Sequence, residues 1–165
     1  METKMNKVFI GVDPGLSGAV AAVDSKGELI SIWDMPVVEM KVGSSMKKRI
    51  CAQSLVSELH LFKNDDAFAL IEQVSAMPGQ GVTSMFNFGK SAGILEGIFA
   101  GLILPYGHVI PGRWKKHHNL NASKDAAREL AMRTWPAKAD LFKRKKDDGR
   151  AEAALIALYS KQIAK

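Results

Sequence analysis

Residues 8–15, with the sequence VFIGVDPG, carry the strongest structural signal in the chain. A continuous apolar run that ends in Asp-Pro-Gly predicts a buried strand followed by a turn. Two further β-like runs follow at residues 18–23 and 29–33, joined by short connections. Connections this short require antiparallel pairing, because a parallel crossover needs about a dozen residues or more. The chain is therefore predicted to begin with an antiparallel meander, whose strands we number 1 to 3.

The middle of the chain predicts a crossover connection. Residues 35–49 have a mixed composition and are predicted to form a loop, whereas apolar residues recur at helical spacing from Ala52 to Phe62. A fourth strand at residues 67–71 stops at Glu72, and a short fifth strand follows at residues 108–110. Strand, helix and strand in this order imply a right-handed crossover and parallel pairing. With further helices at residues 124–134 and 149–161, the pattern predicts an α/β fold with a mixed sheet.

Residues 73–88 are predicted to form a mobile loop that is rich in glycine, methionine and phenylalanine. In this loop Met77, Phe86 and Phe88 are candidates for apolar contacts with a binding partner. The alternative is that Phe86 and Phe88 only anchor the next helix.

Glycines recur every fourth residue in that next helix, at Gly89, Gly93, Gly97 and Gly101. Such a stripe lets another backbone approach closely. We expect close packing of the helix on the sheet, and the alternative is a contact between two copies of the chain.

Composition limits the class of protein. The chain has 165 residues, 47% hydrophobic and 24% charged, which fits one globular domain over residues 1–165 and excludes general disorder. A single cysteine excludes an internal disulfide framework and a cysteine-based zinc cluster. The N-terminus does not read as a signal peptide, and the longest apolar stretch, residues 97–106, is far shorter than the roughly 20 residues of a membrane span. We therefore expect a soluble, cytoplasmic protein with no membrane contact.

The net charge of +6 is distributed unevenly. Residues 1–112 carry 9 basic and 11 acidic side chains, whereas residues 113–165 carry 14 basic and 6 acidic ones. The last third therefore holds all of the positive excess, which favours a polyanionic partner for that region.

Three acidic positions lie where the predicted topology brings chain segments together. Asp13 ends strand 1, Glu72 ends strand 4, and Asp148 and Glu152 lie one turn apart at the start of the last helix. If strands 1 and 4 are parallel neighbours, these carboxylates meet at one edge of the sheet. Clustered carboxylates repel one another unless a cation lies among them. Oxygen ligands favour Mg²⁺ or Mn²⁺ over zinc, and two such ions about 4 Å apart are the usual apparatus for attack of water on a phosphodiester.

These segments resemble a known family. The strings GVDPGLSG at residues 11–18, ALIE ending at Glu72, and KKDDGRAEA at residues 145–153 are similar to motifs of the RuvC-type Holliday junction resolvases, members of the ribonuclease H-like superfamily. The strings PGRWKK at residues 111–116 and SKD at residues 123–125 resemble the bacteriophage-type branch in particular. The resemblance extends from about residue 8 to residue 159.

The resemblance implies a ribonuclease H-like fold with a five-stranded mixed sheet in the order 3-2-1-4-5, flanked by helices. It also implies a homodimer that makes Mg²⁺-dependent paired nicks in four-way DNA junctions, in the bacterial host cytoplasm if the chain is phage-encoded. Asp13, Glu72 and Asp148 become the core catalytic metal ligands, with Glu152 as the fourth. Many relatives place the last two acidic groups three residues apart, whereas Asp148 and Glu152 are four apart. Asp147 is also present beside Asp148 and is a possible substitute for it as the metal ligand.

Basic residues bracket these carboxylates in the sequence. A run of basic residues is often only a solvated surface, but its position here favours contact with DNA phosphates. Next to Asp148, Lys146 and Arg150 are also placed to stabilise charge on the scissile phosphate. In the loop at residues 73–88, Met77, Phe86 and Phe88 are candidates for a wedge that enters branched DNA and stacks on exposed bases. The DNA-binding candidates are Lys115, Lys116, Lys124, Lys143, Arg144, Lys145, Lys146 and Arg150.

Two alternatives remain open at this stage. The nuclease could act on a wider range of branched DNA, such as flaps and forks. The chain could instead be a non-catalytic scaffold that binds DNA junctions. A third reading, an ATP-binding protein of the actin-like group, conflicts with the length of 165 residues, because that group needs two such domains.

Overall fold

A central β-sheet organises the chain in a computed structural model that describes residues 6–73, 75, 78–121 and 123–164. The strands are β1 (Lys7–Asp13), β2 (Ala19–Asp24), β3 (Leu29–Asp34), β4 (Val37–Val42), β5 (Ser45–Ile50), β6 (Asp66–Glu72) and β7 (Tyr106–Val109). The α-helices are α1 (Ala52–Leu59), α2 (Val82–Gly101), α3 (Pro111–His117), α4 (Lys124–Thr134) and α5 (Asp148–Ile163). Short 3₁₀ segments cover His60–Phe62, Pro136–Phe142 and Lys145–Asp147. Among the described helices, none combines the length and apolar character that a membrane span requires.

The five-stranded sheet has the order β3-β2-β1-β6-β7. β1 pairs antiparallel with β2 and parallel with β6, and β6 pairs parallel with β7. The predicted arrangement 3-2-1-4-5 is therefore present in space, and only the numbering changes because β4 and β5 intervene in the chain. The parallel pairing of β1 and β6 brings their C-terminal ends to the same sheet edge.

The prediction of a loop at residues 35–49 is wrong, because β4 and β5 form a two-stranded hairpin outside the main sheet. In this hairpin Glu39 lies opposite Lys48, and Gly43 adopts a φ of +63° in the connecting turn. Almost every residue of both strands is exposed. A strand with no buried face needs no regular alternation of apolar and polar residues, so the sequence carried little signal for it.

Two hydrophobic cores lie on opposite faces of the sheet. One face of β1 and β2 packs against α4 and α5, with Trp114, Trp135 and Phe142 in that core. The other face packs against α1 and the C-terminal half of α2, which contributes Leu95 and Phe99. Alternate residues of β1 point to the two cores, so the apolar run of residues 8–12 is buried on both faces, as expected for a central strand.

Close approach of α5 to the sheet depends on two glycines outside α2. A Cβ atom on Gly11 of β1 would overlap backbone atoms of Ala153 and Ala157 in α5. A Cβ atom on Gly149 would lie 2.5 Å from the Ser17 carbonyl oxygen, in the turn between β1 and β2. These glycines let the start of α5 lie against the end of β1.

The glycine stripe of α2 does not pack on the sheet, so the expected close helix–sheet packing is wrong. A Cβ atom at Gly89, Gly93, Gly97 or Gly101 would meet nothing within 4 Å among the described residues. The buried residues of α2 are Leu95, Ile98 and Phe99. The glycines therefore lie away from the sheet on an open face, which leaves the contact between two copies as the surviving alternative.

The predicted mobile loop at residues 73–88 is also wrong in its second half. α2 begins at Val82, so Phe86 and Phe88 are helical, and Met77 lies outside the described residues. Residues 81–90 are all exposed, so the first half of the helix extends beyond the core. Because this half of the helix buries no apolar face, its sequence carries little signal of helical packing and looks like that of a loop.

Candidate active site

Three carboxylates meet at the edge of the sheet where β1 and β6 end. Asp13 is the last residue of β1, Glu72 is the last residue of β6, and Glu152 lies in the second turn of α5. Each side chain is half-buried, and one carboxylate oxygen from each lies within 4.8 Å of the others. Parallel pairing of β1 and β6 places the first two side by side, and the close approach at Gly149 brings the third.

Asp148 lines the same cleft as these three carboxylates, together with Phe88 from α2. Asp147 does not line this cleft. Its carboxylate is buried and accepts hydrogen bonds from the Arg144 backbone N–H at 2.8 Å and from the Arg144 guanidinium at 2.9 Å. Although burial acts in the opposite direction, these Arg144 contacts hold the pKa of Asp147 below its usual value. Asp147 thus fixes the turn before α5, while Asp148 lies at the cleft.

The cleft strongly disfavours a negative charge on Asp13. Burial, followed by repulsion from Glu152, raises the pKa of Asp13 from its usual 3.8 to about 7, with smaller contributions from Glu72 and Asp148. A hydrogen bond from the Gly15 backbone N–H, at 3.3 Å, acts in the opposite direction without cancelling the effect. Without a cation, the cleft therefore favours the protonated form of Asp13 far more than water does.

Trp114 holds Glu72 in place, which the sequence did not predict. Its indole Nε1–H donates a hydrogen bond to Glu72 Oε1 at 2.9 Å, and its side chain is fully buried. Burial raises the pKa of Glu72 above its usual value, and the bond from Trp114 acts against that rise. The two residues are 42 positions apart in the chain. A tryptophan in the conspicuous string PGRWKK was the available signal, but nothing in the string indicates that its indole N–H reaches a carboxylate.

Lys115 lies at the border of the carboxylate cluster. Its ammonium is 3.1 Å from Glu152 Oε1 and 5.2 Å from the centre of the Trp114 ring. Burial raises the pKa of Glu72, and the positive charge of Lys115 offsets part of that rise. The residue predicted to contact DNA thus offsets part of the negative charge of the cluster.

Several other predicted DNA-binding residues are already paired within the protein. Arg150 binds Asp34 through two hydrogen bonds of 2.6 and 2.8 Å, Lys143 pairs with Asp140, and Arg144 pairs with Asp147. Lys116, Lys145 and Lys146 form no ion pair with a described residue, and the side chain of Lys124 lies outside the described residues. The available positive charge near the cleft is therefore smaller than the sequence count suggests.

The two exposed phenylalanines of α2, Phe86 and Phe88, differ in their surroundings. Phe88 lines the carboxylate cleft and is 40% exposed. Phe86 is 68% exposed and does not line that cleft. Only Phe88 is thus in position to touch a group that also touches Asp13 and Glu72.

The chemistry of this donor set fits a divalent metal ion. The ligand atoms are carboxylate oxygens, as Mg²⁺ and Mn²⁺ prefer, and no described histidine or cysteine belongs to the group. Burial and, after it, repulsion from the neighbouring carboxylates raise the pKa of Asp13, and a cation among these groups offsets both effects. The site therefore has the composition and the electrostatic character of a metal centre.

Comparison with solved structures confirms the fold. The chain matches a Thermus thermophilus RuvC structure with a TM-score of 0.54 and 14% sequence identity, covering 95% of this chain and 97% of the other. It also matches Thermus thermophilus RuvC in complex with a Holliday junction substrate, with a TM-score of 0.55 and 15% identity, covering 92% and 90%. The resemblance to RuvC-type proteins and the ribonuclease H-like fold predicted from the sequence are thus confirmed.

Comparison of sequences gives one further relative. Over 95 residues the chain is 30% identical to the chloroplastic Holliday junction resolvase MOC1 of Chlamydomonas reinhardtii. The aligned segment covers 56% of this chain and only 11% of that relative. No protein-family profile matches the sequence.

Proposed function

We propose that this protein is a metal-dependent endonuclease that resolves Holliday junctions and acts through the cleft formed by β1, β6 and α5. The observation that carries the proposal is the meeting of Asp13, Glu72 and Glu152, with carboxylate oxygens within 4.8 Å of one another. The position of this cluster at the strand ends of a RuvC-like fold supports it, as does the sequence similarity to a Holliday junction resolvase. In this proposal residues 1–165 form a single nuclease domain.

Each side chain of the cleft has a specific part in the proposal. Asp13, Glu72 and Glu152 hold Mg²⁺ or Mn²⁺ with Asp148 as a further ligand, while Asp147 holds the preceding turn. The chemistry that the bound metal supplies in such sites is activation of water and stabilisation of the leaving oxygen. Trp114 orients Glu72, and Lys115 is placed to move from Glu152 to a DNA phosphate when a metal binds.

Contacts outside the cleft fix the position of the DNA. Cations that form no ion pair with a described residue, such as Lys116, Lys145 and Lys146, contact phosphates, while Phe88 stacks on a base beside the cut. The paired cations Lys143, Arg144 and Arg150, together with Lys124, add to the positive field of the region. Binding should therefore weaken as salt concentration rises.

We propose that the working form is a homodimer in which the glycine face of α2 meets a second copy. Two nicks at symmetric positions of a four-way junction require two active sites. The exposed glycines of α2, beside Val82 at 85% and Phe86 at 68% exposure, provide a face on which a second helix can lie closely. A cytoplasmic location and a bacteriophage origin remain predictions.

A nicking assay tests the proposed function directly. Wild-type protein with Mg²⁺ should nick a four-way junction, and Asp13→Asn and Glu72→Gln should each abolish nicking while junction binding stays nearly intact. Glu39→Gln, an exposed change on β4, is the matched control and should leave the rate unchanged. Full nicking by either cleft variant would exclude this site.

The same assay decides between the remaining alternatives. Four-way, three-way, flap and linear DNA are compared with Mg²⁺ and with Mn²⁺. Equal rates on flaps and four-way junctions would indicate a broader branched-DNA nuclease. Tight junction binding with no nicking under any condition would indicate a binding scaffold.

A further inference from the structure

A second cavity adjoins the carboxylate cleft, and the proposed function does not use it. It has a volume of about 200 Å³ and lies between the turn after β1, the end of β5 and the first half of α2. It shares Pro14, Gly15 and Phe88 with the carboxylate cleft. We call it the side cavity. Anything bound there lies next to the group that the carboxylates hold.

The side cavity is strongly cationic although it belongs to the acidic part of the chain. Lys48 and Arg49 come from β5 and Lys90 comes from α2. None of the three forms an ion pair with a described residue, even though Glu39 lies opposite Lys48 in the hairpin. Three cations that border one small cavity favour the binding of an anion among them.

The floor of the cavity is apolar. Ile50 is 5% exposed and Ile94 is half-buried, whereas Lys48 and Lys90 are exposed. The residues that α2 contributes recur at helical spacing on the side of the helix that also carries the buried Leu95. They are Ser84, Asn87, Phe88, Lys90, Ser91 and Ile94. The cavity thus continues the packing side of α2 beyond the core, with an apolar floor below a polar and cationic rim.

We propose that the side cavity holds one unstacked nucleotide of the DNA strand being cut, with its base on the apolar floor and its phosphate among Lys48, Arg49 and Lys90. A cavity of about 200 Å³ has room for part of one nucleotide and is far too small for a double helix. A nucleotide combines an anionic phosphate with a flat, weakly polar base, which matches the rim and the floor. The inference rests on the proposed nuclease function.

The position of the cavity specifies which nucleotide enters it. Because Pro14, Gly15 and Phe88 border both spaces, the bound nucleotide is a close neighbour of the scissile phosphate. Unstacking costs least for a base that is already unpaired, as at the branch point of a junction. The side cavity therefore favours cutting where strands exchange over cutting in a continuous duplex.

The test uses the intact chain and junctions that carry 2-aminopurine at one of the positions beside the cut. This base fluoresces more strongly when it leaves the stack. Binding of wild-type protein in Ca²⁺ should raise the signal at one position, and Lys48→Gln and Lys90→Gln should each remove most of the rise. Each variant should also bind the junction about threefold to tenfold more weakly and lower the slope of log K against log salt by about one.

Lys41→Gln is the matched control, because Lys41 is exposed on the same hairpin and does not line the side cavity. It should behave as wild type in all three measurements, and a thermal melt of each variant excludes misfolding as the cause. If Lys48→Gln and Lys90→Gln match Lys41→Gln, the inference is wrong. It is also wrong if they lose affinity equally for linear duplex and no position of 2-aminopurine responds, since the cations then make ordinary backbone contacts.

Two further readouts separate the sources of a result. Titration with dTMP tests whether the side cavity takes a free nucleotide instead. The assignment to the DNA strand would be overturned if Lys90→Gln abolished the binding of dTMP but left the 2-aminopurine signal of the junction unchanged. Nicking by the wild type reports on the proposed function. If the wild type nicks junctions and the variants show no defect, only the inference fails, whereas absence of wild-type nicking on any branched DNA overturns the proposed function.

Discussion

Helices α5 and α2 lie on opposite faces of the same sheet. Glycine permits close packing beside α5, whereas the glycines of α2 lie on an open face. At Gly11, facing α5, a Cβ atom would overlap the backbone of the helix, whereas a Cβ atom on Gly93 of α2 would meet nothing within 4 Å. The α5 side is closed and fixes the carboxylates, while the first half of α2 is open and presents Phe88 and the side cavity. The cleft therefore lies between α5, which packs tightly on the sheet, and an exposed stretch of α2.

The largest effect on stability is expected beside α5, when Asp13→Asn removes the charge of Asp13 in the absence of metal. Its pKa of about 7 in the folded protein, against a usual 3.8, corresponds to up to about 4 kcal/mol. Well below pH 3.8 the Asp13 carboxyl is protonated in the folded and in the unfolded state, so Asp13→Asn has no advantage from charge. As the pH rises from 4 to 7 the unfolded chain releases this proton first, so the folded wild type loses stability relative to the variant, and the full difference remains above pH 7.

Urea unfolding in EDTA at pH 4 and at pH 8 measures this effect. Asp13→Asn should be more stable than the wild type at pH 8 and close to it at pH 4. Millimolar Mg²⁺ at pH 8 should stabilise the wild type and leave the variant nearly unchanged. A wild type whose stability relative to Asp13→Asn does not depend on pH would contradict the raised pKa of Asp13.

The next effect breaks the close approach of α5. Gly11→Ala places a methyl group where the backbone of Ala153 and Ala157 lies, so the helix must shift and the free energy of unfolding should fall by about 3 kcal/mol. Glu152 moves with the helix, and metal affinity should fall as well. Chemical denaturation and calorimetric titration with Mn²⁺ measure the two losses, and an unchanged unfolding free energy would show that α5 tolerates the methyl group.

A smaller effect is expected from the support of Glu72. Trp114→Phe removes the hydrogen bond from the indole N–H, which is worth about 1 to 2 kcal/mol. Since that bond acts against the raised pKa of Glu72, its loss should raise this pKa further and shift the onset of Mn²⁺ binding to higher pH.

Trp135→Phe provides the matched control. Trp135 is 3% exposed and donates its indole N–H to the Gly27 carbonyl oxygen at 2.9 Å, away from the carboxylates. Both variants lose volume and a hydrogen bond, so both should lose stability. Only Trp114→Phe should change the pH dependence of Mn²⁺ binding, and an equal change in both would remove Trp114 from the site.

The sequence predicted the parts of the site that depend on strand ends. Asp13 and Glu72 could be placed together because parallel neighbours end at the same sheet edge, and a buried run followed by an acid is visible in sequence. The choice between Asp147 and Asp148 could not be made, because it depends on Arg144 binding Asp147 in the turn before α5. Periodicity contains no information on that side-chain contact.

The wrong predictions of secondary structure and packing concern β4, β5 and α2, and they share a physical cause. Sequence patterns report burial, and β4, β5 and the first turns of α2 bury almost nothing. The glycines of α2 were expected to permit close packing because glycine often does, yet the close approaches occur at Gly11 and Gly149. Whether a glycine is needed for packing or lies on an open face depends on the partner surface, which becomes visible only in the folded structure.

The smallest expected effect tests the open face of α2. Gly93→Ala adds a methyl group that meets no described atom, so helix propensity alone should stabilise the monomer by about 0.5 to 1 kcal/mol. If a second copy lies on this face, the same methyl group separates the helices and should weaken the dimer about tenfold, or about 1.4 kcal/mol.

Sedimentation equilibrium measures the affinity of the dimer, and denaturation at low protein concentration measures the stability of the monomer. Gly112→Ala in α3 is the control, since its Cβ atom also meets nothing within 4 Å and it lies outside α2. A dimer equally strong in both variants would place the contact between copies elsewhere, because the glycine face would then be open to solvent in the assembly as well as in the monomer.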